Sequence, residues 1–386
     1  MQHEHSTQKV LILVDWYLPG YKAGGPIQSV ANIVSALGQL IDFSIITFNT
    51  DLGESSPYPG IEFNKWTKAP DGTRIFYFSK EAFSFQSLKV LLRSESYDAL
   101  YLNSVFSTKL TLLPLLILKS LKQQTKIVLA PRGMLGPGAL EIKSTKKRIF
   151  LSLARLINLY INVIWHASTT IEVDEIKRVF GNSAKIQIAL NLSARNRLAL
   201  SAKEKKIKEA RFVYMARVSP KKNLPAVLKA MNQLPNDLKV VFDIYGSNED
   251  PQYWQECETL IKAAPAHVKI SYRGGIQHSE VTETLSHYDF GVLYTKNENF
   301  GHTIVEYLSV GLPVVISDKT PWNNLEEKCI GWNAPLADES SLLSALIAAC
   351  QMNQKTYDIW SRAAFEFASG ITNNKQAVED NIALFV

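Results

Sequence analysis

Cysteine is scarce in this chain, and so are long apolar runs and any strong excess of charge. The 386 residues hold three cysteines, Cys257, Cys329 and Cys350, an odd number and widely spaced. No metal-ligand spacing links them and they suggest no disulfide framework, so a reducing compartment is expected. The run LTLLPLLIL, Leu110 to Leu118, is nine residues long and is interrupted by Pro114. That is far short of the roughly 20 apolar residues that span a bilayer. Near the N-terminus only Val10 to Val14 are continuously apolar before Asp15 ends the run, too few for the core of a secretory signal. These absences make a cytoplasmic protein the expectation, working at the inner face of the cytoplasmic membrane. The formal charge of +6 is too small to argue for nucleic acid, and the cations lack interleaved aromatics or a nucleic-acid motif.

What is present is an ordinary globular balance, 46% hydrophobic and 20% charged, in a chain long enough for two domains. Short apolar strand candidates alternate with helical patterns. VLILV leads into a stripe of Ile27, Val30, Ile33, Val34 and Leu37 at helical spacing,. FSIITF, RIFYF, ALYLN, KIVLA, VIWHAS and KIQIAL follow as further strands, and a polar segment rich in Pro and Gly runs from Asn49 to Gly72. A second series begins at RFVYMAR and continues through LKVVFDIYG, VKISYRG, DFGVLYT and PVVISD. Alternation of this kind predicts parallel sheets covered on both faces, hence an α/β protein with two doubly wound, Rossmann-like domains. The expected division is 1–192, a charged linker 193–210, a second domain 211–365, and a C-terminal helix over 366–386 packing back on the first domain. In such sheets ligands bind at the carboxyl ends of the strands, so a cleft between two facing sheets is the expected site.

Charge is unevenly spread. From Ala99 to Ile171 the sequence holds ten lysines and arginines against Glu141 alone. A solvated basic face fits this pattern, and so does a surface for phosphates, a nucleotide or an acidic lipid layer.

The most informative stretch is ENFGHTIVEYLSVGLPVVISD, which puts Glu298 and Glu306 eight residues apart around Phe300 and Gly301. It reads as a strand, a turn freed by Gly301, a helix, and a stop at Gly311 and Pro313. Glu298 then lies in the loop above the strand and Glu306 in the helix. The amides of Gly301, His302 and Thr303 lie at a helix start suited to phosphate. A second element, YMARVSPKKNL, ends a strand in Arg217 and follows it five residues later with Lys222. A third, YLPGYKAGGPIQSVANI, places Gly24 and Gly25 before a helix, where backbone can approach a phosphate or sugar closely.

These residues resemble the retaining glycosyltransferases of the GT-B fold, specifically glycosyltransferase family 4. The resemblance runs along nearly the whole chain and is sharpest in the second half. It implies that Glu298 faces the donor sugar, that Glu306 holds the nucleotide ribose, and that Arg217 and Lys222 meet the diphosphate, with Phe300, Gly301, His302 and Thr303 around them. It also implies that Arg273 and Gly274 of SYRGGI line the cleft. No Asp-x-Asp pair occurs, so the leaving diphosphate is expected to be met by cations and amides, with no metal and no cofactor. The chain departs from the family pattern in the first half. Arg132 precedes Gly133 where relatives carry histidine, Asn103 stands at a preceding strand end, and His166 is the other candidate there. These three are the expected acceptor-side residues. The implied activity is transfer from a UDP- or GDP-sugar to a saccharide or lipid-linked acceptor in surface-polysaccharide synthesis, such as O-antigen, capsule, exopolysaccharide or lipopolysaccharide. Peripheral contact with an anionic membrane accompanies it. A non-catalytic sugar-nucleotide-binding or scaffold subunit is the alternative.

Overall fold

The computed structural model describes residues 8–121, 125–136, 139–140, 144–194, 200, 202–248 and 250–386. The chain divides into two compact units, Met1–Leu192 with Lys375–Val386, and Ser193–Asn374. The expected α/β class with two doubly wound halves is observed.

The first unit is built on an eight-stranded sheet of β1 (Gln8–Leu13), β2 (Ile41–Phe48), β3 (Trp66–Lys68), β4 (Arg74–Phe78), β5 (Ala99–Asn103), β6 (Lys126–Ala130), β7 (Val163–Ala167) and β8 (Lys185–Ile188). Their spatial order is β3-β4-β2-β1-β5-β6-β7-β8. All neighbours are parallel except β3, which pairs antiparallel with β4 at the edge. The polar segment 49–72 hides β3, because three residues are too few for a periodic signal. Side chains alternate across the sheet, and both faces are buried. Val10 and Ile12 of β1 pack with Val30, Ile33, Val34 and Leu37. Leu11 and Leu13 pack on the other side with Leu88, Leu92 and Leu110. This two-sided burial is why the strand reads as an unbroken apolar run. The LTLLPLLIL stretch forms a π-turn, Thr108–Leu112, leading into the helix Leu113–Leu121. No helix among the described residues is long and apolar enough to cross a membrane.

The second unit carries β9 (Glu209–Met215), β10 (Lys239–Tyr245), β11 (Val268–Gly274), β12 (Phe290–Leu293), β13 (Val314–Ser317) and β14 (Gly331–Ala334). The order is β11-β10-β9-β12-β13-β14, and the pairings are parallel. β14 has the sequence GWNA, too short and mixed to stand out beforehand.

Two boundaries differ from expectation. The stretch read as a linker is partly docked. Residues 195–199 and 201 of it lie outside the described residues, but Lys205 is 3% exposed. Its ammonium donates to the backbone carbonyls of Lys206, Glu209, Cys350 and Met352, so four acceptors replace its water. The C-terminal helix is two helices. Gln354–Thr372 stays with the second unit, where Ser361 donates to the Gly311 carbonyl at 2.6 Å and Tyr357 to that of Asp289 at 3.2 Å. Lys375–Ala383 packs on the helix Gly25–Leu37 of the first unit. It carries the buried Phe385 onto the rings of Phe43 and Tyr101, with centroids 5.7 and 5.3 Å away.

Candidate functional site

In each sheet the chain builds outward in one direction and then crosses back to build in the other. The reversal in the second unit falls between β9 and β12, and in the first between β1 and β5. Loops leaving adjacent strands at such a point diverge and open a crevice above the strand ends. The helices that follow β1, β9 and β12 begin at Gly24, Asn223 and Gly301, none of which caps its helix with a side chain. Elsewhere the first turn is closed by Ser84, Thr169 and Asp250. The helix starts after β1, β9 and β12 therefore lack the side-chain oxygen that would compete with an anion for their amides, whereas Ser107 closes the turn that follows β5,.

At the β9/β12 reversal, Lys222 pairs with the carboxylate of Glu298. Both side chains are mostly buried, 18% and 13% exposed. Backbone ties hold the two loops in register, from the Lys296 amide to the Lys221 carbonyl at 2.8 Å and from the Thr295 hydroxyl to that carbonyl at 3.0 Å. The Glu298 amide donates to the Lys319 carbonyl at 2.9 Å. Burial works to raise the Glu298 carboxyl, but the charges of Lys222 and Lys221, the Lys222 hydrogen bond and His302 outweigh it, so the group sits below the usual range. Arg217 is exposed, two residues beyond the end of β9. No hydrogen bond or ion pair of its guanidinium is found among the described residues.

Gly301 adopts φ 84°, a left-handed conformation that side chains resist. A Cβ there would come within 2.8 Å of the Ile304 side chain and 3.2 Å of Glu298 Cγ. Glycine thus lets the turn close over the carboxylate. Phe300 is buried against His302 and Trp322, centroids 4.9 and 5.4 Å away, and its carbonyl accepts from the Trp322 indole at 2.5 Å. The helix His302–Ser309 is fixed to the sheet through Tyr307. The ring lies against Gly291 of β12, where any Cβ would fall 2.2 Å from it. The hydroxyl accepts the Met215 amide of β9 at 2.6 Å. Glu306 precedes Tyr307, so this bolt sets its position. Burial pushes the Glu306 carboxyl up to about 7. His278, whose own pKa burial lowers, stands 3.7 Å from it. No hydrogen bond to the Glu306 carboxylate is found among the described residues, so it is an acceptor ready for hydroxyl donors.

Four contributors escape local sequence reading. Tyr307 and Gly291 matter through close packing across elements. Gly246, with φ 150°, lets its loop approach to where a Cβ would lie 1.8 Å from the Ala216 carbonyl, beside Arg217. His278 opens the helix after β11 and has no local signal. Arg273, at the end of β11, keeps its side chain 49% exposed. Its guanidinium turns toward the buried Asp243 at 3.2 Å, and the Tyr288 hydroxyl also donates to that carboxylate at 2.7 Å. Gly274, with φ 78°, accepts the Gly246 amide at 2.8 Å through its carbonyl and so steadies the strand ends.

In the first unit, the loop after β1 is pinned by Asp51, whose carboxylate accepts the Tyr21 and Lys22 amides at 2.8 and 3.1 Å. Gly24 has φ 66°, and both Gly24 and Gly25 face open space. Asp15 accepts from Ser107 at 2.7 Å across the β1/β5 reversal, and burial raises its carboxyl. Arg132, Asn103 and His166 come together, but as one internal network. Arg132 donates to Asn103 at 3.1 Å, to Asn191, and to the Tyr101 hydroxyl at 2.7 Å. Tyr101 meets His166 Nδ1 at 2.7 Å, and His166 Nε2 lies 2.8 Å from the Ala189 carbonyl. A carbonyl only accepts, so Nε2 carries the proton and Nδ1 accepts from Tyr101. Burial first, then the Arg132 charge, lowers the His166 pKa to about 3. With both nitrogens used and 1% exposure, His166 is a neutral structural residue and not the acceptor contact expected. Half-buried Arg132, at φ 56°, is the member of the three nearest solvent.

Residues 197–362 match the family model described as Glycosyl transferases group 1. A 116-residue stretch is 31% identical to the UDP-N-acetylglucosamine–peptide N-acetylglucosaminyltransferase GtfA subunit of Streptococcus pneumoniae. The match covers 30% of this chain and about a fifth (21%) of the relative's length. The fold is shared with a sucrose-phosphate synthase from Thermosynechococcus elongatus, at TM-score 0.71 and 16% identity over 98% of each chain. It is also shared with HepE of Anabaena, solved with UDP and glucose, at TM-score 0.69 and 16% identity over 98% of each chain. WaaG, named as a glycosyltransferase of lipopolysaccharide biosynthesis, superposes at TM-score 0.69 and 12% identity over 97% of this chain and 98% of its own.

Proposed function

We propose, proceeding from the Glycosyl transferases group 1 domain over residues 197–362, that this protein moves a sugar from a nucleoside-diphosphate sugar to an acceptor hydroxyl with retained configuration. The observation that carries the reading is the Lys222–Glu298 pair at the β9/β12 reversal, with Glu306, whose carboxylate accepts no hydrogen bond among the described residues, eight residues further along the chain. In this reading the diphosphate lies over the start of the helix His302–Ser309, met by amides, Lys222 and the uncommitted Arg217. These groups stabilise the charge that grows on the leaving phosphate, where preorganised donors act most strongly, and no metal is required. Glu306 accepts from the ribose hydroxyls. Glu298, oriented by Lys222, faces the donor sugar. Displacement occurs on the face from which the phosphate departs, and that phosphate takes the acceptor's proton. The names of GtfA and HepE's ligands favour a UDP-sugar over a GDP-sugar. The acceptor is a saccharide or lipid-linked saccharide of surface-polysaccharide synthesis, reached at the inner face of an anionic membrane.

The test is thermal shift and calorimetry against UDP-, GDP-, ADP- and CMP-sugars with and without EDTA, followed by assay of nucleoside-diphosphate release. Saturable, EDTA-insensitive binding of a UDP-sugar is expected. Absence of binding by every nucleotide sugar would overturn the reading.

A further inference from the structure

The helix Ser144–Leu156 in the first unit has two apolar faces. One is ordinary. Leu151 and Ala154 are buried in the core, with Phe150 packed against it, and the Lys147 ammonium lies 5.3 Å from the centre of the Phe106 ring. The other points outward. Ile149, Leu153 and Leu156 stand at i, i+4 and i+7, which confines them to about 60° of arc opposite the buried side. They are 58%, 56% and 78% exposed. The stripe continues past the helix end to Ile157 and Ile161, 47% and 64% exposed. Single exposed aliphatics need no explanation, but a contiguous row on the solvent side of a helix does.

Cations frame this row. Lys146 and Arg148, both exposed, precede Ile149 on its two flanks. Lys119 reaches the end of the row, donating to the Ile157 carbonyl at 2.7 Å. In sequence, Ala99 to Ile171 contains no acidic residue except Glu141. An apolar stripe bordered by cations matches the layered chemistry of an anionic bilayer, with acyl chains below and phosphate headgroups beside them. A second copy of the chain would bring the same cations against themselves, which disfavours self-association through this face.

We infer that the outward face of residues 146–161 is a membrane-docking surface that inserts Ile149, Leu153 and Leu156 into the interfacial layer of an anionic bilayer. The inference deepens the membrane contact proposed above and rests on it, while donor binding in the second unit is read independently. The experiment is co-sedimentation with vesicles of phosphatidylcholine alone and of phosphatidylcholine with phosphatidylglycerol, at low and high salt. Wild type is expected to bind only the anionic vesicles, and less at high salt. Leu153→Glu with Leu156→Glu is expected to lower partitioning at least about tenfold, as is Lys146→Glu with Arg148→Glu. Both double variants should keep the wild-type melting temperature and nucleotide-induced thermal shift, since none of the four side chains is buried. Wild type failing to bind anionic vesicles would sink both the surface and the membrane contact. Variants that bind like wild type would sink the surface alone. A dimer in wild type that the leucine variant dissociates, with no vesicle binding, would assign the face to self-association instead. Loss of nucleotide response with vesicle binding intact would speak against the sugar-transfer reading and leave the docking face standing.

Discussion

Glu298 and Glu306 are eight residues apart and meet opposite electrostatic surroundings. Glu298 is held ionised by Lys222 and Lys221 against the cost of burial, whereas burial alone drives Glu306 up to about 7. The two should therefore separate in experiment. Glu298→Gln is expected to leave nucleotide affinity within about twofold and to lower turnover by on the order of 100-fold. Calorimetry beside a product-release assay checks this, and unchanged turnover would remove Glu298 from the chemistry. Glu306 has the sign of a strained carboxylate. Its folded pKa lies above the unfolded value, so the folded state binds the extra proton and stability falls as pH rises from about 4.5 to about 7. Glu306→Gln should thus stabilise the ligand-free protein at pH 8, by roughly 1–3 kcal/mol, and leave it little changed at pH 4. Nucleotide affinity should show the reverse trend, weakening below about pH 7 as the acceptor for the ribose becomes protonated. A flat affinity profile between pH 5.5 and 8 (set as roughly one unit either side of that value) would show that Glu306 does not meet the ligand as a carboxylate.

At the scale of elements, the second unit is organised by what glycine permits. Gly301 closes the turn over Glu298, and Gly291 admits Tyr307, whose hydroxyl binds the end of β9. Gly301→Ala is expected to cost about 1–2 kcal/mol of stability, with a disproportionate loss of turnover because Glu298 is displaced with the turn. Denaturant melts set beside kinetics separate the two effects; equal small losses in both would mean the turn only supports the fold. Tyr307→Phe should cost roughly 1–3 kcal/mol, because the buried Met215 amide loses its acceptor. Much of this level was legible in the sequence. The strand–turn–helix order around Gly301 and the helical stripe from Ile27 to Leu37 are local patterns, whereas the roles expected of Arg217 and Lys222 came from the family resemblance. The Tyr307 bolt was not legible, because it joins β9, β12 and a helix that are far apart in the chain. Nor was the direction of Arg273, since the buried Asp243 that draws it lies 30 residues away.

At the scale of the molecule, each unit has its own core, and the last residues of the chain belong to the first. Phe385 is fully buried against Phe43 and Tyr101. Phe385→Ala is expected to destabilise the first unit by about 3–5 kcal/mol, read as a lowered first-unit unfolding transition in hydrogen exchange with the second unit unchanged. Equal loss of protection in both units would contradict separate cores.

The sequence by itself determined the α/β class, the two series of strands and the turn around Gly301, because periodicity and glycine placement are properties of contiguous residues. Tertiary structure decided the rest. It made His166 a neutral core residue by surrounding it with Tyr101, Arg132 and the Ala189 carbonyl. It raised Glu306 by burial, and it turned Ile149, Leu153 and Leu156 outward. Burial and pairing depend on which distant residues the sheet brings near, and no local pattern encodes that.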